Sequence, residues 1–205
     1  MNETHEKRTT QPFGTFFNLI YTVALLISRL LHPVSVKGLE NLPRNGALLI
    51  ANHSSNWDPI LLATALPRDY RLRVMAKEEL FRYPVVSWLI RVGGAFPVNR
   101  GGADIQAVKT AMQSIRDGIG KADGLPAHAH SGAAMIGVRT GAVFVPVFLD
   151  GKKRLFHKTC IIIGKPYTPV YTGRRGTAEE MQNIADDLLR EIYALGGQQV
   201  GGAPL

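Results

Sequence analysis

Five short apolar runs, Ala47 to Ala51, Leu72 to Ala76, Val92 to Val98, Val143 to Leu149 and Cys160 to Ile163, alternate with stretches of helical character. That alternation constrains the fold most. A short apolar run bounded by turn residues reads as a buried strand, and strands separated by helices build a sheet covered on both faces. Helices are expected near Pro59 to Leu66, Glu78 to Ile90, Asp104 to Arg116, Gly132 to Thr140 and Ala178 to Leu195. The last is the best marked: Thr177 and Glu180 have capping-box spacing, Met181, Ile184, Leu188, Ile192 and Leu195 share a face, and Gly196 follows. The fold class is therefore α/β. The 205 residues, 45% of them hydrophobic, suffice for one core, and no internal repeat is present.

The first of these runs leads directly into Asn52-His53-Ser54-Ser55-Asn56-Trp57-Asp58-Pro59. An imidazole on a loop after a buried strand can take a proton from a hydroxyl near neutral pH, and a nearby carboxylate can fix its tautomer. This is a triad without its nucleophile. If the substrate's own alcohol attacks, the chemistry is transfer rather than hydrolysis. A bare histidine five residues before an aspartate recurs by chance, and its bland reading is a surface histidine beside a turn aspartate. The strand before it and the short helix after it favour His53 as base and Asp58 as its orienter, with Asn52 and Ser54 either positioning His53 or the substrate or simply satisfying loop backbone.

The stretch NHSSNWDP resembles the first motif of the glycerolipid acyltransferases, specifically the bacterial 1-acylglycerol-3-phosphate acyltransferases. Lys77-Glu78-Glu79-Leu80-Phe81 with Pro84 and Trp88, followed by Gly93-Gly94-Ala95-Phe96-Pro97-Val98-Asn99-Arg100, resembles the second block, and Val143-Phe144-Val145-Pro146-Val147 the proline-containing fourth. The resemblance runs in order from about Val34 to Pro166. It implies a glycerol-3-phosphate acyltransferase-like mixed sheet flanked by helices, and acyl transfer from a thioester of coenzyme A or acyl carrier protein to the free hydroxyl of 1-acylglycerol-3-phosphate. It further implies a phosphate held by Arg100 with Asn99, and Pro146 near the acyl or acceptor site; Lys77, at a strand end, is either a second phosphate contact or merely solvated. The acyl thioester is a co-substrate; no cofactor is implied.

One departure stands out. The family's third motif, a strand ending in Phe-Pro-Glu-Gly-Thr-Arg, has no counterpart: Asp117 to Pro126 is glycine-rich, and no glutamate occurs between Glu79 and Glu179. The sequence therefore predicts a sheet short of one strand, with Val92 to Val98 and Val143 to Leu149 left without a shared neighbour or closed up on each other. It also predicts a weak enzyme. A second reading follows, a weakened or inactive relative that binds membrane and lysophospholipid.

A formal charge of +8 implies anionic partners. Phe13 to Leu31 is apolar nearly all round and marginally long enough to cross a ~30 Å hydrocarbon core at ~1.5 Å per residue. The expected organisation is a polar tail over 1–12, a membrane-associating helix over 13–33, the acyltransferase domain over 34–197 and a short tail over 198–205. Anionic lipid at the cytoplasmic face of the cell membrane is the expected surface, with lysophospholipid, acyl thioester and acyl carrier protein as partners. Aromatic residues fall in apolar runs rather than among basic ones, which argues against nucleic acid. Neither G-x-S-x-G nor a P-loop occurs, His128 and His130 do not suffice for a metal site, and the lone Cys160 cannot form an internal disulfide.

Overall fold

The computed structural model describes residues 15–44, 46–55, 57–67, 70, 72–92, 94–98, 109–110, 112–113, 120–125, 131–150 and 155–198. They form one seven-stranded mixed sheet with helices on both faces, as the alternating pattern requires. The strands are β1 (Val34–Lys37), β2 (Ala47–Asn52), β3 (Leu72–Lys77), β4 (Ala95–Val98), β5 (Gly120–Leu125), β6 (Val143–Leu149) and β7 (Thr159–Ile163). The helices are α1 (Thr15–Leu31), α2 (Asp58–Ala65), α3 (Pro84–Val92), α4 (Ser131–Thr140) and α5 (Ala178–Leu195). Spatial order is β1-β7-β6-β2-β5-β3-β4, all neighbours parallel except β6 and β7.

β2 lies inside the sheet and is buried along its whole length, which is why its sequence is a continuous apolar run. Successive side chains alternate between two cores. Leu48 and Ile50 pack with Phe144, Phe148 and Phe96 under α4 and α5. Ala47, Leu49 and Ala51 pack with Val145, Val147, Ile161 and Ile163 against Leu61 and Leu62 of α2. Gly137 lets α4 approach the sheet: a Cβ there would stand 1.8 Å from Cε1 of Phe144. α5 starts at the expected capping box, with both reciprocal bonds of Thr177 and Glu180 formed.

Three expectations are corrected. The sheet is not short of a strand, for β5 fills the stretch read as a loop and lies in parallel register between β2 and β3. Nor are β4 and β6 closed up on each other: β4 is an edge strand beside β3, and β6 lies between β2 and β7. The expected helix from Glu78 to Ile90 is split into a 3-10 turn (Glu78–Arg82) and α3, because Pro84 pushes Tyr83 into extended backbone. Pro146 sits in an interior strand. Its carbonyl accepts from Gly164 N–H at 2.8 Å just past the last residue of β7, so the missing donor falls where that ladder ends. Of the helix expected over 104–116, Lys109, Thr110, Met112 and Gln113 are described and helical.

α1 packs on α2 and α3, leaving Leu19, Val23, Leu26, Ile27 and Leu30 exposed. Among the described residues no helix is long and apolar enough to cross a membrane. The 17 residues of α1 reach about 26 Å at ~1.5 Å per residue, short of a ~30 Å core.

Candidate active site

β2 and β6 end together at the carboxyl edge of the sheet, and His53 leaves β2 at that edge, where ligands bind in open α/β sheets. The backbone pairing of β2 with β6 runs as far as Ala51 with Val147. Beyond it the Asn52 side chain takes over: Nδ2 donates to Leu149 O at 2.8 Å, and Oδ1 accepts from Leu149 N–H at 2.7 Å. An amide carries a donor and an acceptor side by side, as a peptide unit does, so it extends the ladder by one step. Asn52 is 6% exposed with both amide atoms engaged, and it fixes where the His53 loop begins.

His53 Nδ1 lies 2.8 Å from Asp58 Oδ2. The same oxygen accepts the backbone N–H of Ser54 at 2.7 Å and of Ser55 at 2.8 Å. Asp58 is buried at the first turn of α2, where the helix dipole and these charge-assisted bonds offset the burial of its charge. A carboxylate that only accepts requires Nδ1 to carry the ring proton, which leaves the Nε2 lone pair as the basic site. The ring is a quarter exposed, so Nε2 chemistry is open to a substrate while Asp58 is shielded. Ser54 enters the site through its backbone N–H; its side chain is exposed. His32, just past the end of α1, is buried with its ring 5.4 Å from that of Trp57.

Lys77, exposed, ends β3. Register through β5 puts it level with Asn52, two strands away, about 10 Å at ~4.8 Å per strand. Val98 pairs with Lys77 and ends β4 at the same edge; Asn99 and Arg100, which follow it, lie outside the described residues, as do Asn56, His128 and His130. Pro146 is buried in register with Ile50, three residues short of the position where His53 emerges. Sequence reasoning missed the partner of Asn52, a backbone unit 97 residues away for which no local signal exists. It also missed the donation by Ser55 N–H, which the short spacing to Asp58 could have suggested.

Comparison with known proteins gives the family. An acyltransferase family model matches residues 33–153, more than half of the chain. A 1-acyl-sn-glycerol-3-phosphate acyltransferase of Bacillus subtilis is 28% identical over 174 residues, spanning 79% of this chain and 87% of the relative. The protein of the same name from Streptococcus pneumoniae is 36% identical over 70 residues, 34% of this chain and 26% of its own length. A chloroplastic one from Arabidopsis thaliana is 24% identical over 137 residues, 60% of this chain and 38% of its own. The crystal structure of the 1-acyl-sn-glycerophosphate acyltransferase of Thermotoga maritima superposes with a TM-score of 0.64 at 22% identity, covering 89% of this chain and 80% of that one.

Proposed function

Because this chain belongs to the acyltransferase family, we propose that it moves an acyl group from a thioester of coenzyme A or acyl carrier protein to the free hydroxyl of 1-acylglycerol-3-phosphate, giving phosphatidate. The observation that carries this reading is the 2.8 Å bond from His53 Nδ1 to a buried Asp58 at the carboxyl edge of the sheet. In the proposed reaction Nε2 takes the proton of the acceptor hydroxyl as its oxygen attacks the thioester carbonyl. Asp58 holds the ring and stabilises the imidazolium. The tetrahedral intermediate collapses with loss of thiolate, which recovers the proton from Nε2. Arg100, with Asn99 and Lys77, holds the phosphate; the level placement of Lys77 with Asn52 supports its share.

The exposed apolar side of α1 supports a place on a membrane surface, at its cytoplasmic face, where a lysophospholipid acceptor resides. No cofactor takes part in the proposed reaction. A second reading rests on the missing glutamate-arginine signature between Glu79 and Glu179: a weakened or inactive relative that binds lysophospholipid without transferring acyl groups. One experiment separates the two. Purified protein in detergent, given lysophosphatidate and a long-chain acyl thioester, should release phosphatidate and free thiol in equal amounts. Binding of lysophosphatidate without either product would favour the second reading, and neither binding nor turnover would refute both.

A further inference from the structure

The connection from β6 to β7 carries a feature that acyl transfer does not use. Phe156 is the single non-glycine residue with positive φ among the described residues, at 61°. The left-handed region crowds Cβ, and for a bulky aromatic residue it is a true outlier. That conformation serves no burial. Phe156 is 68% exposed and Leu155 beside it 55% exposed, so the turn presents two large apolar side chains to the outside.

The fold decides which side of the molecule this turn occupies. β6 runs parallel to β2, and β7 runs back antiparallel, so Leu155 to Lys158, which lead into β7, lie at the edge from which His53 emerges. β1 starts level with the start of β7, which brings the end of α1 to the same edge. There Phe156 N–H donates to Leu31 O, joining the turn to the helix whose Leu26 and Leu30 are exposed. The turn therefore adds two exposed apolar side chains at the end of α1. The sequence on either side of the pair is basic: Lys152, Lys153 and Arg154 precede it, and Lys158, exposed, follows.

We propose that the Leu155–Phe156 turn is a lipid anchor that inserts into the headgroup boundary of an anionic bilayer, beside α1 and on the same side of the sheet as His53. The proposal rests on the reading of α1 as a membrane-surface helix. Apolar side chains flanked by cations match that boundary, where acyl chains meet phosphates. Docking through both elements turns the edge that carries His53 toward the lipid.

The full chain is tested by sedimentation with vesicles of phosphatidylcholine alone and of phosphatidylcholine with phosphatidylglycerol. Wild type should bind the anionic vesicles more strongly, and the double variant Leu155→Ser/Phe156→Ser should lose about ten-fold or more in partitioning. Phe156→Gly supplies the sharper test. Glycine takes the left-handed backbone freely, so this variant should keep its thermal midpoint and still lose vesicle binding. A purely structural role for Phe156 predicts the opposite pair of results. Turn variants that bind vesicles like wild type, while Leu26→Ser/Leu30→Ser does not, would overturn the anchor and leave the α1 reading standing. Wild type that binds no vesicle would overturn both. Equal binding to neutral and anionic vesicles would overturn the anionic surface, and variants that only dissolve a self-associated species would assign the turn to a second copy of the chain.

Discussion

Asn52→Ala tests whether the asparagine before the His53–Asp58 pair is a clamp or a substrate contact. In the structure its amide is saturated by Leu149, whose own residue is 0% exposed. Truncation leaves a buried N–H and a buried C=O without their partner, and each such group costs about 1–3 kcal/mol. Together they cost about 2–6 kcal/mol, which for a chain of this size lowers the thermal midpoint by roughly 5–20 °C. Differential scanning calorimetry measures this directly. The consequence for chemistry is separable: loosening the end of β2 should lower kcat by displacing His53, with the KM for the acceptor nearly unchanged. A variant that melts within about 1 °C of wild type but shows a raised KM would refute the clamp and return Asn52 to the substrate.

Asp58→Asn should fold yet lose about 10²-fold to 10⁴-fold in turnover, because an amide donor facing Nδ1 moves the ring proton to Nε2 and removes the base; turnover within a few-fold of wild type would exclude the pair. Gly137→Ala should destabilise by about 1–3 kcal/mol through its clash with Phe144, read as a shifted denaturation midpoint. Glu180 is held below the usual carboxylate range by the Thr177 backbone N–H first, and by Thr172. Its ionisation therefore adds stability that is fully present above the ordinary pKa and lost as pH falls through the lowered one. Melting curves taken across that acid range should show a smaller loss for Glu180→Gln than for wild type.

Local signals account for what could be read in advance. β2 and β6 announce themselves as apolar runs, and α5 carries its cap, its apolar face and its terminal glycine within 20 residues of sequence. The His53 and Asp58 pair was legible because both partners belong to one loop. β5 was not, since Gly-Lys-Ala-Asp-Gly-Leu has no strand signature of its own and is held by the backbones of β2 and β3 on either side. β1 went unread for a related reason: four residues of Val-Ser-Val-Lys gain a strand conformation from β7, 125 positions later. The Asn52 clamp has the same character, a local residue type whose meaning lies in a distant partner.

The reversal of β7, and of β1 with it, against the other five strands has a kinetic consequence. Had β7 continued the parallel direction, its connection from β6 would have crossed to the amino edge, and the Leu155–Phe156 turn would sit away from His53. With the turn at the carboxyl edge, a molecule docked as proposed above would meet an acceptor that diffuses laterally within the lipid film. Its velocity should then follow the mole fraction of lysophospholipid in that film rather than its molarity in the tube. Diluting the film with inert lipid at constant total acceptor should slow the reaction, and adding water should not.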